Sequence, residues 1–287
     1  ILAVLANGHV IIEGVPGLGK THTVNALAKS IDAKFNRIQF TPDLLPADII
    51  GTLIYDQKNS SFEVKKGPIF SNIILADEIN RTPPKTQSAL LEAMQEQQVT
   101  LDGKTMALPP LFWVIATQNS LEFEGTYPLP EAQLDRFVFK LLIDYPERSA
   151  EKQMLMQAKQ GSHGRSTNIK ELQSMATIEN ILNAREEVKK VESQENIINY
   201  LLDLIVKTRQ HPDIALGASP RAAVVWLQTS KAKAWLSGRD YVTPDDIKNI
   251  AFPLLRHRLI LNPEAQLEGI NSQAVIESIL KQVAVPR

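Results

Sequence analysis

The sequence predicts an α/β fold: a parallel sheet sandwiched between helices, followed by a smaller all-α domain. Three observations predict it. Gly14-Val15-Pro16-Gly17-Leu18-Gly19-Lys20-Thr21 is a glycine loop that joins the apolar run His9–Glu13 to a segment with Val24, Leu27 and Ala28 at helical spacing. Two further apolar runs, Ile73–Ala76 and Leu111–Ala116, read as buried strands that end in polar residues. From residue 147 onward the pattern is mostly helical.

The whole chain sets bounds on these elements. Its 287 residues suffice for a large core and two domains, with the boundary expected near 145, giving 1–145 and 146–287. No apolar run reaches the ~18 residues of a membrane span. The opening Ile1-Leu2-Ala3-Val4-Leu5 lacks a basic flank and a cleavage site, and reads as the tail of a helix that starts outside this sequence. No cysteine is present, which excludes disulfides and thiolate-bound zinc and is compatible with the cytoplasm. A net charge of −1 gives no bulk electrostatic footprint for nucleic acid. The five histidines are scattered and none forms an H-x-x-x-H pair, so metal ligation by histidine is not expected.

The glycine loop fits G-x-x-x-x-G-K-[ST], the phosphate-binding P-loop. Glycines let backbone N–H groups curl around phosphate oxygens. The helix that follows aims its positive end at the same anion. Lys20 can reach the β- and γ-phosphates, and the Thr21 hydroxyl can ligate Mg²⁺. Residues 14–21 together with His22 are therefore expected against a nucleotide triphosphate.

Phe35–Phe40 alternates and reads as a second strand. Thr41 and Pro42 look like the N-cap and first residue of a short helix that runs to Ile50. Residues 51–65 read as a β-hairpin with a polar tip, inserted into the αβ alternation. The strand Ile73–Ala76 ends in Asp77 and Glu78, two acids at the edge where α/β sheets bind ligands. The first suits the Mg²⁺ shell and the second suits a water-activating base. An amphipathic helix is expected over 82–96, with Leu90, Leu91 and Met94 packed inside. A second hairpin over 98–108 turns at Asp102-Gly103. The strand Leu111–Ala116 leads to Thr117-Gln118-Asn119, where a side-chain amide can orient water. Glu131–Phe137 reads as helical and Val138–Ile143 as the last strand. Helices are then expected at 147–160, 179–190, 194–211, 220–237, 244–257 and 272–283. Arg221 lies in a first helical turn, where the macrodipole favours an acid, so a function is suspected there.

Five strings in this order resemble the AAA+ ATPases, and more closely the MoxR family, over essentially the whole chain. They are residues 14–21, Leu75-Ala76-Asp77-Glu78-Ile79-Asn80-Arg81, Ala116-Thr117-Gln118-Asn119, Glu131-Ala132-Gln133-Leu134-Asp135-Arg136-Phe137 and Ser219-Pro220-Arg221. The resemblance implies an AAA+ core over 1–145, a helical lid over 146–287, and ATP with Mg²⁺ as cofactors. Asp77 and Glu78 look like the Walker B pair, with Glu78 activating water. Asn119 looks like sensor 1, Arg136 like an arginine finger acting on a neighbour's ATP, and Arg221 like sensor 2. Gln39 is placed to couple Glu78 to the substrate side. The hairpins look like the helix-2 insert and the pre-sensor-1 hairpin. Part of the adenine pocket is expected outside this sequence.

An arginine supplied in trans implies a homo-oligomer, expected as a hexameric ring. The resemblance further implies a chaperone-like remodeller of partners that bear von Willebrand factor A domains. A nucleic-acid motor related to helicases, or a magnesium-chelatase-type motor subunit, is the alternative. The hairpin tips Asp56–Ser61 and Asp102–Lys104 each carry one acid and one base. A phosphate-tracking pore needs several cations, so nucleic acid ranks below a protein partner.

Overall fold

A computed structural model describes residues 1–15, 17–57, 60–119, 125–159 and 171–286. Five strands form the central sheet: β1 (His9–Gly14), β2 (Phe35–Gln39), β5 (Ile73–Asp77), β8 (Trp113–Gln118) and β9 (Phe137–Ile143). Their spatial order is β2-β5-β8-β1-β9. The pairs β2·β5 and β5·β8 are parallel and in continuous register, with Gln39 opposite Asp77 and Ala76 opposite Ala116. Ile73, Ile74, Leu75, Val114 and Ala116 are fully buried. A strand covered on both faces needs an unbroken apolar run, which is why these runs do not alternate. The order places β1 between β8 and β9, away from its sequence neighbour β2. In such sheets, ligands bind where the carboxyl ends of the strands part.

One compact unit comprises residues 12–127 and 142–178. It holds the helix Lys20–Ser30, the helix Pro84–Glu96 and two antiparallel hairpins, β3 (Gly51–Asp56) with β4 (Ser61–Lys66) and β6 (Gln98–Leu101) with β7 (Lys104–Ala107). Leu90, Leu91 and Met94 are buried, as the helical spacing predicts. The helix expected from Thr41 instead starts at Pro46 and ends at Ile50. The Asp48 carboxylate accepts from the Leu45 N–H at 2.9 Å, so the cap sits four residues later than Thr41-Pro42 suggests. The helix Arg148–Lys159 closes the described part of this unit before residue 171.

The second unit comprises residues 1–11, 128–141 and 179–287. Its main helices run Ile178–Lys190, Glu195–Gln210, Pro220–Leu236, Pro244–Leu255 and Ser272–Gln282. Trp226 is fully buried and donates its indole N–H to Ile247 O at 3.0 Å, so the largest side chain of this core leaves no polar group unpaired. The helix expected over Glu131–Phe137 ends at Leu134, and the strand begins at Phe137. A short antiparallel pair, β10 (Ile214–Leu216) with β11 (Ile260–Leu261), adds strand structure to a region whose sequence reads as all helix. Among the described residues, no helix is long and apolar enough to cross a membrane.

Candidate functional site

The site is built from the loop upward. Gly14 closes β1 where an added Cβ would lie 2.3 Å from the Ile143 carbonyl oxygen, so only glycine fits there. Gly17 and Gly19 have φ of +85° and +73°, left-handed values that turn the loop into the helix Lys20–Ser30. No acid occupies the first turn of that helix, so its N-terminal N–H groups and positive dipole end are left for an anion. The Lys20 ammonium donates to Gly14 O at 2.7 Å, which folds it back over the loop. Burial pushes its pKa down, while Asp77, Glu13 and Glu78 push it up. The net shift is downward, and the neighbouring carboxylates favour the charged form. Val15 is half-buried in the loop, and Pro16 lies outside the described residues.

The loop borders a cleft of about 380 Å³, lined on its other side by Asp77, Glu78, Thr117 and Asn119. Thr21 and His22 line it too. Of the residues expected against the nucleotide in this unit, Gly14, Gly17, Leu18, Gly19, Lys20, Thr21, His22, Asp77, Glu78 and Asn119 therefore share one wall system. Arg136 and Arg221 belong to the second unit.

Glu78 sits at the turn from β5 into a short 3₁₀ segment, Ile79–Arg81, with φ 58° and ψ 49°. A left-handed backbone is uncommon for a residue other than glycine or asparagine and tends to occur at functional sites. The Thr117 hydroxyl holds it. That hydroxyl accepts from the Glu78 N–H at 2.9 Å and donates to Asp77 Oδ1 at 2.5 Å. One buried side chain on β8 thus orients both acids. The Glu78 carboxylate accepts at Oε2 from Gln39 Nε2 at 2.8 Å and from Arg81 Nη1 at 3.1 Å. Asp77 Oδ2 accepts from Arg37 Nε at 2.9 Å and from Nη2 at 2.6 Å.

These donors fit a phosphate-bound Mg²⁺. Thr21 and Asp77 supply hard oxygens beside a loop shaped for an anion. Among the described residues, no cluster of three or more His, Cys, Asp or Glu side chains builds an all-protein metal cage. Mg²⁺ is commonly held in this way, by one or two carboxylates with substrate phosphates completing the shell.

The second unit mounts Arg136 firmly. Arg258, its side chain 1% exposed, donates to Asp135 Oδ1 at 2.6 Å, to Phe137 O at 2.6 Å, to Val138 O at 3.1 Å, and to Leu254 O. The other Asp135 oxygen accepts from Ser219 Oγ at 2.9 Å. Ser219 in turn caps the helix that carries Arg221, accepting from Ala222 N–H at 3.1 Å. Arg136 itself is half-buried and Arg221 is exposed.

The family model described as "ATPase family associated with various cellular activities (AAA)" matches residues 9–139, and an AAA lid domain model matches 206–279. Chaperone MoxR1 of Mycobacterium tuberculosis (strain ATCC 25618 / H37Rv) is 39% identical over 100% of this chain and 77% of its own length. This chain belongs to the MoxR family of AAA+ ATPases. A second relative, the uncharacterized protein YeaC of Bacillus subtilis (strain 168), is 51% identical over 100% of this chain and 88% of its own length. A solved structure from Cytophaga hutchinsonii, described as a putative ATPase, superposes with a TM-score of 0.90 at 46% identity, covering 100% of this chain and 88% of that one. MoxR-family membership agrees with the fold expected from sequence, a parallel sheet among helices joined to an AAA lid. Thr117 and Arg37 were not singled out from the sequence. Thr117 stands within the Ala116–Asn119 string, and Arg37 shares a strand face with Gln39, two residues away.

Proposed function

We propose that this chain is an oligomeric, Mg²⁺-dependent ATPase of the cytoplasm that remodels or matures a partner protein. One observation carries the reading: the P-loop, Asp77, Glu78 and Asn119 converge on one cleft inside a single compact unit. The loop N–H groups and Lys20 bind the phosphates, and Thr21 and Asp77 would hold Mg²⁺. That ion, when bound, would supply positive charge against the phosphates. Glu78 accepts the proton of the attacking water, and Asn119 orients that water against the phosphate. Arg136 from a neighbouring subunit and Arg221 of the same chain supply positive charge to the phosphoryl group in flight. Such a site is shared between subunits, which favours a closed ring, six-membered on the family pattern.

The partner is a protein, with a von Willebrand factor A domain as the expected module. The chaperone designation of the Mycobacterium relative supports a protein as partner. So does the β3–β4 hairpin, which exposes Ile54, Tyr55 and Phe62 and sets the Tyr55 and Phe62 rings 5.2 Å apart at a tilt of 59°. Apolar and aromatic surface suits a polypeptide better than a phosphate backbone.

Glu78→Gln tests the reading. The variant is expected to bind ATP, lose turnover, and retain its partner when purified from native cells. Undiminished hydrolysis refutes the role of Glu78. Nucleic acid as the trapped species refutes the protein partner.

A further inference from the structure

Arg37 lines the cleft but belongs to none of the recognised nucleotide motifs. It stands on β2, two residues before Gln39, so both side chains leave the same face of the strand. Gln39 is in register with Asp77 across the parallel pair. Arg37 meets Asp77 side-on, through its Nε/Nη2 edge. Both its Nε and its Nη2 donate to the single oxygen Oδ2, while Oδ1 is engaged by the buried Thr117 hydroxyl. The contact is therefore not the parallel two-oxygen fork that makes arginine–carboxylate pairs tight. The Arg37 side chain is 47% exposed and that of Asp77 15%, so water reaches the pair.

The same Nη2 also donates to Gln39 Oε1 at 2.5 Å. The Gln39 amide is thereby fixed in one sense. Its oxygen faces a cation and its NH₂ faces the Glu78 carboxylate at 2.8 Å. A chain of contacts runs from Asp77 through Arg37 and Gln39 to Glu78.

We propose that Arg37 is a displaceable counter-cation for Asp77. It competes with Mg²⁺ for Oδ2, and its departure when Mg²⁺ and nucleotide bind loosens Gln39, one of the two donors on Glu78 Oε2, and leaves that carboxylate to Arg81 alone. The proposal rests on the reading of Asp77 as the Mg²⁺-shell acid. A guanidinium and a hydrated divalent ion cannot share one carboxylate oxygen without repulsion. Both Arg37 donors sit on Oδ2 while Oδ1 carries the Thr117 bond, so a cation arriving at Oδ2 meets the guanidinium directly. Arg37 is thus a positioning residue: it sets how much Mg²⁺ the site requires and ties Glu78 to the arrival of that ion.

Binding measurements separate this from a structural role. The probe is a fluorescent ADP analogue, titrated into the full chain in EDTA and then at rising Mg²⁺. Arg37→Met removes the charge and keeps the length. It is expected to lower the Mg²⁺ concentration for half-maximal effect about tenfold, with affinity in EDTA unchanged. Arg37→Lys restores a competing cation and is expected to return the Mg²⁺ midpoint toward wild type. An unchanged midpoint in Arg37→Met overturns the proposal. So does weakened binding of Arg37→Met in EDTA, which marks Arg37 as a phosphate ligand. If wild type binds the analogue and Mg²⁺ leaves its affinity unchanged, the assignment of Asp77 falls and the proposal with it. If wild type binds no nucleotide, the proposed function fails as well.

Discussion

Thr117→Val is the sharpest perturbation of the acid pair. The substitution keeps the shape and deletes the hydroxyl of a residue that is 2% exposed, a group that makes two hydrogen bonds at 2.5 and 2.9 Å. The bond to Asp77 is charge-assisted, of the kind that contributes roughly 1.5–3 kcal/mol, and an orphaned buried N–H costs about 1–3 kcal/mol. The Asp77 and Glu78 side chains are 15% and 27% exposed, so water replaces part of the loss. We take about 3 kcal/mol as the net cost. Most of it falls on the backbone at Glu78, whose φ of 58° lacks intrinsic support. Relaxation there displaces the Glu78 carboxylate, and a shift of about 1 Å in a catalytic group lowers turnover about 100-fold. Steady-state ATP hydrolysis alongside denaturant unfolding and nucleotide binding is the assay. Thr117→Val is expected to lose turnover and stability while nucleotide affinity stays within about threefold of wild type. Thr117→Ser keeps the hydroxyl and is expected to retain most activity. Thr117→Val with wild-type turnover refutes the claim that this hydroxyl places the acids.

Three other outcomes are expected. Lys20→Ala deletes the ammonium at the loop and should weaken nucleotide binding about 100-fold in equilibrium titrations. Arg136→Ala should bind nucleotide normally yet lose about 10³-fold in hydrolysis in the assembled state; equal turnover by dilute monomers and oligomers of wild type would contradict a finger acting in trans. Asp246 governs an acid-sensitive contribution to stability. Burial alone would raise its pKa, but hydrogen bonds from Arg239 and Thr243 outweigh that and hold it below the ordinary carboxylate value. A depressed folded pKa gives stability that is full above the unfolded pKa and lost as pH falls through the folded one. Asp246→Asn should therefore unfold earlier in denaturant at neutral pH, by about 2–3 kcal/mol, with the difference from wild type shrinking below pH ~4.

Sequence disclosed the parts of the site whose chemistry is local. A glycine loop with the P-loop spacing, and acids closing apolar strands, carry their reason in neighbouring residues. Arg37 and Thr117 do not. Each acts through a residue 40 positions away, brought close only by the order β2-β5-β8. Gln39 was expected near Glu78, and the structure shows that contact together with a second one, to Arg37, which its position alone does not imply. The misplaced helix start at Thr41 has a different origin. Thr-Pro and Leu-Pro-x-Asp both satisfy local capping rules, and the structure uses the second, with the Thr41 carbonyl taken up by the Thr82 hydroxyl. Propensity could not anticipate that tertiary claim on a backbone oxygen. The short strands at Ile214 and Ile260 were hidden for a similar reason: a three-residue and a two-residue strand leave no periodicity to read.

The buried guanidinium of Arg258 has a consequence for how Arg136 can work. Its fork grips the main-chain oxygens of Asp135 and Phe137 on either side of Arg136, and its Nε takes the Asp135 carboxylate. The stem of Arg136 is therefore clamped before any neighbour arrives, and only its own side-chain rotamers remain to be ordered. Freezing those rotamers costs about 2 kcal/mol, far less than ordering a loose loop of several residues. In the proposed oligomer, docking a subunit would thus bring a ready-mounted charge to the joint. Changing the tip at residue 136 alters the tool, whereas changing Arg258 loosens the handle. The two lesions should differ in kind: the first abolishes the chemical step in assemblies that form normally, and the second blurs the position of a guanidinium that is still present.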